Sequence, residues 1–139
     1  LYPDNFRKIW IGNEVVCSVG EQRIDILSIV ETKEKYYIRI TELKDETPSK
    51  DIVEKQIQWY IRWVAQYLVP LMNDKEVVVI PTIIATDYKR NTNKKVEFVS
   101  ACDSFKKTKI GKLYNITINP VEYIAFERST DDITFEKVF

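Results

Sequence analysis

Residues 23–44, RIDILSIVETKEKYYIRITELK, decide the fold of this chain. Val, Ile, Leu and Tyr dominate both ends of the stretch, and a polar segment, TKEK, separates them. This pattern predicts a β-hairpin with a loop of two to four residues. Both loop lengths give the same register, in which Asp25 on the first strand lies opposite Glu42 on the second.

Three charged side chains stand at the open end of this hairpin. The Cβ atoms of Asp25 and Glu42 are expected about 4.5–5.5 Å apart, and alternation along the strand places Lys44 on the same side. The next pair on that face, Leu27 and Ile40, is apolar. Carboxylates beside a core are costly unless a cation or hydrogen bonds compensate them. The arrangement predicts a metal site, with a solvated strand end that runs into a polar loop as the competing interpretation.

The composition bounds the class of protein. The chain has 139 residues, of which 45% are apolar and 30% charged, as in an ordinary globular protein. We expect one domain over residues 1–139, although the start at Leu1 rather than Met leaves open an element before it. No apolar run approaches the roughly 18 residues that span a bilayer, and no signal peptide is recognisable. We therefore expect an intracellular, cytoplasmic protein without a membrane partner.

The residues that the chain lacks exclude several mechanisms. It contains no histidine, which excludes Ser-His and Cys-His catalysis and histidine-based zinc hydrolysis. Its three glycines, Gly12, Gly20 and Gly111, lie too far apart to form a P-loop or a dinucleotide-binding motif. Cys17 and Cys102 stand alone rather than in a CxxC pair, so we expect them to be reduced and structural. Any chemistry must come from carboxylates, Lys, Tyr or a metal.

The charge is unevenly distributed. The formal net charge is zero, yet residues 89–112 contain eight basic residues and only two acidic ones. This segregation predicts a patch that binds nucleic-acid phosphates, with merely solvated lysines as the competing interpretation. The candidate residues are Lys89, Arg90, Lys94, Lys95, Lys106, Lys107 and Lys109, with Lys112 beside them.

The segment before the hairpin is expected to contribute one strand. Residues 1–10 predict a lead-in packed on the core, and Gly12-Asn13 is a turn signal. Residues 14–19 then predict a short strand that pairs with the hairpin and completes a three-stranded meander.

A helix follows the hairpin. It is predicted from residue 48 or 50 to residue 68, and Pro70 ends it. Apolar residues repeat along one face at spacings of three and four: Val53, Ile57, Tyr60, Val64 and Leu68. Gln56 lies one turn before Tyr60 on the same side. We interpret Trp59 and Trp63 as core residues rather than as platforms for base stacking.

β-Branched runs predict the remaining strands. Residues 76–86 predict a strand parallel to the second hairpin strand, joined to it by a right-handed crossover, with a bulge or a sheet edge at Pro81. Residues 88–95 predict a loop, residues 96–101 a strand and residues 103–112 a basic connection. Residues 113–118 and 121–128 predict strands or a short terminal helix, and residues 133–139 an edge strand.

Four features together resemble the PD-(D/E)XK nuclease superfamily. They are Ile24-Asp25-Ile26-Leu27 after Gly20, Glu42-Leu43-Lys44 at the end of the next strand, the crossover helix, and Gln56-x-x-x-Tyr60 upon that helix. The set is similar to the RecB-like branch with its QxxxY motif, and particularly to the catalytic domains of archaeal flap- and mismatch-cutting endonucleases. The likeness covers Glu14 to about Val64, and it departs from the pattern where Glu21 and Gln22 separate the glycine from Arg23.

The resemblance implies a fold and a metal site. The fold would be a restriction-endonuclease-like α/β core, in which helices flank a mixed sheet made of an antiparallel meander and a parallel strand after a crossover helix. Asp25 and Glu42 would hold Mg²⁺ or Mn²⁺. Lys44 would orient the attacking water or neutralise the developing charge. The upstream acid of the family would be Glu14, and Glu21 is a rival for this role. An acid that precedes the first residue is a further alternative.

The helix residues have implied roles as well. Gln56 and Tyr60 would position Lys44, the water or the scissile phosphate. The competing interpretation is that Gln56 is a solvated helix residue and Tyr60 an ordinary core aromatic. We expect Gln56 to contact either Lys44 or the water beside the metal.

The implied function is that of a Mg²⁺-dependent deoxyribonuclease, most simply an endonuclease, which hydrolyses phosphodiester bonds of a DNA substrate. A homodimer is left open. One alternative is a nuclease-fold module that binds nucleic acid or a partner protein without cutting, and the intact acid, acid and lysine set favours catalysis over it. Another is an unrelated α/β binding domain in which Glu42 and Lys44 are surface charges.

Overall fold

The chain forms a mixed seven-stranded sheet accompanied by two α-helices in the part that the structure, a computed structural model, describes. Those residues are 7–17, 22–72, 74–89, 92–105, 111–112 and 115–139. The strand order is β1-β2-β3-β4-β6-β7, and β5 also pairs with β4. The strands are β1 (Lys8–Val16), β2 (Arg23–Glu31), β3 (Lys35–Leu43), β4 (Glu76–Thr86), β5 (Thr117–Ile118), β6 (Glu122–Arg128) and β7 (Ile133–Lys137).

The β2–β3 hairpin has the predicted register. The strands pair antiparallel from Glu31 opposite Tyr36 to Ile26 opposite Thr41. Thr32 fixes the turn, because its buried Oγ1 accepts hydrogen bonds from the backbone N–H groups of Glu34 and Lys35, at 3.3 and 3.0 Å. A side chain that bonds its own turn in this way holds the register locally.

β1 completes the meander, but it begins earlier than the sequence predicts. It pairs antiparallel with β2 along its length, so the prediction of a lead-in up to residue 10 and a turn at Gly12-Asn13 is wrong. The glycine has a packing role instead, since a Cβ at Gly12 would lie 2.5 Å from the Trp10 ring. Sheet pairing with β2 thus outweighs the local turn signal. Residues 1–6 of the lead-in lie outside the described residues.

The crossover element confirms the predicted helix and its buried face. A π-helical segment, Ile52–Ile57, continues into helix α1, Gln58–Tyr67, and a 3₁₀ turn over Val69–Met72 contains the predicted stop at Pro70. The buried residues are Ile52, Val53, Ile57, Tyr60, Ile61, Val64 and Ala65. β4 then runs parallel to β3, as predicted, so the crossover carries the chain over one face of the sheet.

Pro81 lies in a central strand rather than at an edge. β4 pairs with β3 on one side, including Ile40 with Pro81. On the other side, β4 pairs with β5 through Val78 and Val79 and with β6 from Thr82 onwards. The proline therefore occupies the interval where β4 changes partner, a position that tolerates the loss of an N–H donor.

The segment after β4 is helical where a loop and a strand were predicted. Helix α2 covers Thr92–Phe105 and replaces the second half of the predicted loop and the whole predicted strand over residues 96–101. Phe98, Ala101, Cys102 and Phe105 are its buried residues, at spacings of three, one and three that fit one helical face. β7 forms the predicted edge strand. No helix in the described ranges is long and apolar enough to cross a membrane.

Candidate active site

Asp25 and Glu42 lie at the same end of the β2–β3 hairpin. The observed pairing ends at Ile26 opposite Thr41, and extending it by one residue on each strand makes Asp25 level with Glu42. Asp25 is half-buried, and its Oδ2 accepts a hydrogen bond from the Leu43 N–H at 2.7 Å. The side chain of Asp25 therefore crosses towards the end of β3, and its charge contributes to raising the pKa of Glu42.

Glu42 is a buried carboxylate with one oxygen paired and one unsatisfied. The residue is 2% exposed, and its Oε1 lies 2.8 Å from Lys44 Nζ. Its Oε2 is buried without a hydrogen-bond partner among the described residues. Burial raises the pKa of Glu42, the hydrogen bond from Lys44 opposes that rise, and the negative charge of Asp25 adds to it. An unsatisfied carboxylate oxygen beside a second carboxylate suits a hard divalent cation, so these residues fit the metal that the resemblance implies.

Tyr60 closes the site from helix α1. It is 3% exposed, and its hydroxyl donates a hydrogen bond to the Arg23 carbonyl at 2.8 Å. Burial raises the pKa of Tyr60 far above its usual value, and the nearby charges of Glu42 and Asp25 add to the rise. The phenol therefore stays protonated.

Gln56 lies in the π-helical segment and is half-buried. No side-chain hydrogen bond joins Gln56 to Lys44 in the part of the chain that the structure covers. The alternative contact, with a water beside the metal, stays a prediction. π-Helical turns are frequent at functional sites, so the segment merits a direct test.

We expect Gln56→Ala to lower DNA cleavage by about one to three orders of magnitude, because it removes one positioning group from the site. Single-turnover cleavage rates measure the effect, and the melting temperature should change little. Gln58→Ala, the same change two residues along the helix, serves as the matched control. Equal rates for both variants would return Gln56 to the status of a solvated helix residue.

Glu14 does not join the two carboxylates. It lies between Asn13 and Val15, whose partners Ile26 and Ile24 flank Asp25, and it is therefore level with the site. However, its backbone has a φ of 47°, and its exposed side chain forms an ion pair with Arg23 at 3.7 Å. Within the described ranges, no group of three His, Cys, Asp or Glu residues could hold a metal ion. The expectation that Glu14 is a ligand is not supported, and its rival Glu21 lies outside the described residues.

The basic candidates fall into three groups. Lys94 and Lys95 are exposed in the first turn of α2. Lys89 forms an ion pair with Glu127 instead of presenting an uncompensated charge. Arg90, Lys106, Lys107 and Lys109 lie outside the described residues. An ion pair between Lys50 and Glu97, at 3.8 Å, brings α2 beside the start of the crossover element.

A cleft beside the site was not anticipated. It has a volume of about 690 Å³, and Cys17, Trp59, Arg62, Trp63 and Tyr67 are among the residues that line it. Trp59 is 46% exposed, so its interpretation as a core residue is wrong. The sequence held a signal, since Trp59, Trp63 and Tyr67 repeat at a spacing of four, beside the buried stripe of the helix.

Comparisons with known proteins give one distant likeness. No protein-family model matches the sequence, and no curated protein matches it. A solved structure of Pyrococcus furiosus SfsA in complex with Ca²⁺ is 14% identical, with a TM-score of 0.39, and the match covers 93% of this chain. The chain spans about half of that protein, 53% of its length. A TM-score this low does not assign a function or a family to this chain. Its own topology defines it as an α/β protein with a mixed sheet.

Proposed function

We propose that this protein is a metal-dependent DNA nuclease with a restriction-endonuclease-like core. The observation that carries the proposal is the pair of carboxylates at one end of the hairpin, with Lys44 Nζ 2.8 Å from Glu42 and with Glu42 Oε2 buried and unsatisfied among the described residues. Burial of a carboxylate with one unsatisfied oxygen is costly, and an ion pair without a function would not require it. The same arrangement suits a site whose ligand completes the carboxylate's bonding.

The chain's own residues divide the work. Asp25 and Glu42 would hold the cation, and the hydrogen bond from Leu43 N–H orients Asp25 for that task. Bound Mg²⁺ or Mn²⁺ would stabilise charge on the phosphate and promote ionisation of the attacking water. Lys44 is about one quarter exposed, at 28%, so its ammonium can face a phosphate oxygen while it remains beside Glu42. Tyr60 holds the start of β2 through the Arg23 carbonyl.

Cleavage assays with the purified chain test this proposal. Labelled single-stranded, duplex and branched DNA are incubated with Mg²⁺, with Mn²⁺ or with EDTA. We expect cutting with either metal and none with EDTA. Mn²⁺ binding, followed by calorimetry without DNA, gives a second readout that should weaken in Asp25→Asn. Binding of DNA without cutting in any metal would assign the non-catalytic module instead.

The exposed lysines of α2 should contribute to DNA affinity. We expect the double variant Lys94→Glu and Lys95→Glu to weaken binding to every DNA sequence alike and to reduce the dependence of affinity on salt, because phosphate contacts release counterions. Fluorescence anisotropy over a salt series in EDTA measures both. The control is Lys55→Glu, which reverses an exposed lysine already paired with Asp51. Unchanged affinity in the double variant would show that these lysines are merely solvated.

A further inference from the structure

We propose that the cleft beside the carboxylates is a nucleobase-binding subsite, which holds one unpaired base of the strand that is cut. This inference rests on the proposed nuclease function and deepens it, since it names the substrate class as DNA with unpaired nucleotides. It concerns the cleft lined by Cys17, Trp59, Arg62, Trp63 and Tyr67, called here the aromatic cleft.

The aromatic cleft exposes large rings that a core would bury. Trp59 is 46% exposed and Tyr67 61% exposed, whereas Trp63 is partly buried and packs against the core. The ring centroids of Trp63 and Tyr67 are 5.9 Å apart, with their planes tilted by 40°. The two rings therefore do not cover each other face to face. The exposed rings of Trp59 and Tyr67 offer surface to a flat ligand that enters the 690 Å³ cleft.

The charge on the cleft favours a nucleotide over a purely apolar ligand. Arg62 is exposed and lines the cleft together with the three aromatic residues. Aromatic platforms combined with a cation are the usual means of binding single-stranded nucleic acid, because every base has a π-face and every nucleotide a phosphate. The planar guanidinium of Arg62 can pair with that phosphate or stack on the base.

The position of the cleft links it to the carboxylates. Val16 lines the cleft and pairs with Arg23, two residues from Asp25 along β2, or about 7 Å at the rise of a strand. Cys17 lies at the same end, close enough for the charge of Glu42 to contribute to its raised pKa, after burial as the main cause. Tyr60, adjacent in sequence to Trp59, donates its hydroxyl proton to the Arg23 carbonyl. The Arg23 backbone thus connects the two sites, since it pairs with Val16 of the cleft and accepts the hydrogen bond from Tyr60.

The short distance between the cleft and the carboxylates determines whether the bound base can be stacked in a duplex. A nucleotide beside the phosphate at the carboxylates can place its base in the aromatic cleft only if that base is unstacked, because a base within a duplex has both faces covered. Flaps, loops, mismatches and single strands provide such a base, whereas in an intact duplex the base must first be unstacked, which costs free energy.

Binding in EDTA tests the subsite without any contribution from cutting. The probes are a short oligodeoxythymidylate and a strand of the same length made of abasic residues, followed by fluorescence anisotropy. We expect Trp59→Leu to weaken binding of the thymidylate by about 10- to 100-fold and to leave binding of the abasic strand unchanged, because only the base stacks. Trp59→Phe keeps a π-face and should retain most of the affinity. Trp10→Leu is the matched control, since Trp10 is a half-exposed tryptophan on β1 that does not line the cleft.

The possible failures are distinguishable. Equal losses for both probes in Trp59→Leu, or no loss for either, would overturn the subsite. An aromatic peptide that binds the cleft and is not displaced by the thymidylate would also overturn it. Cleavage that is absent in every metal, together with base-dependent binding that needs Trp59, would overturn the nuclease and leave the subsite standing. Metal-dependent cutting with unaltered base binding in Trp59→Leu would overturn the subsite and leave the nuclease standing.

Discussion

Glu42→Gln is expected to lower metal-dependent DNA cleavage by roughly 10³-fold or more. The change keeps the size of the side chain and removes its charge. Both oxygens of Glu42 are engaged in the proposed site: Oε1 pairs with Lys44 at 2.8 Å, and Oε2 is the buried oxygen left for the cation among the described residues. Lys44→Ala should give a comparable loss, because it removes the lysine ammonium group that would face the phosphate.

Folding and DNA binding should survive this substitution. Burial is the main cause of the raised pKa of Glu42, which means that the folded protein disfavours the ionised carboxylate. A neutral amide at the same place should therefore leave the melting temperature in EDTA unchanged or higher. The matched control is Glu46→Gln, the same chemical change at an exposed residue of the following loop. Near-wild-type cutting by Glu42→Gln would show that the site is misassigned.

The hairpin could be predicted because its determinants are local. Its two arms are rich in Val, Ile, Leu and Tyr, and the turn between them is closed by Thr32, whose side chain accepts hydrogen bonds from the backbone of Glu34 and Lys35. Once the register follows from the loop, Asp25 and Glu42 must be level. The crossover helix was predictable for a similar reason, since its apolar residues repeat at helical spacing over several turns.

The errors fall where non-local contacts overrule local signals. Gly12-Asn13 has the chemistry of a turn, but pairing with β2 keeps β1 extended through it. Val96 and Val99 favour a strand locally, yet burial of Phe98, Ala101, Cys102 and Phe105 against the rest of the core stabilises α2. Spacing within α2 was a usable signal, whereas the early start of β1 at Lys8 depends on its pairing with β2 and could not be identified from residues 8–16 alone.

The candidate site shows the same division. Asp25, Glu42 and Lys44 follow from the hairpin, and Tyr60 follows from the helical face that packs on it. The exposure of Glu14 depends on a backbone conformation with positive φ, which the sequence does not signal at a glutamate. The aromatic cleft depends on how α1 meets the end of β1, a long-range contact between elements more than 40 residues apart.

The sheet that carries the site is joined across three strands by a partly buried ion pair. Arg39 on β3 donates hydrogen bonds from Nη1 to Thr82 Oγ1 on β4, at 2.6 Å, and to Glu122 Oε2 on β6, at 2.5 Å. The side chains of Arg39 and Glu122 are 9% and 20% exposed. Burial is the largest single influence on the pKa of Glu122 and raises it, but the hydrogen bonds and charges of Arg39 and Lys137 together outweigh burial and make the pKa lower than its ordinary value of 4.5.

We expect Glu122→Ala to reduce the free energy of unfolding by about 2–3 kcal/mol at neutral pH, because it leaves the Arg39 guanidinium buried without its carboxylate. The partial exposure of Glu122 keeps the loss below that of a fully buried pair. Since the folded pKa is lowered, this stability is present above pH 4.5 and is lost as pH falls through the folded pKa, so the difference from the wild type should shrink at a pH well below 4.5. Urea unfolding at both pH values measures the difference between the two proteins.

The control is Arg128→Ala, which breaks an exposed ion pair between Arg128 on β6 and Asp45. It should reduce the free energy of unfolding by less than about 1 kcal/mol. Equal losses for the two variants would mean that the Arg39 pair contributes no more than a surface contact.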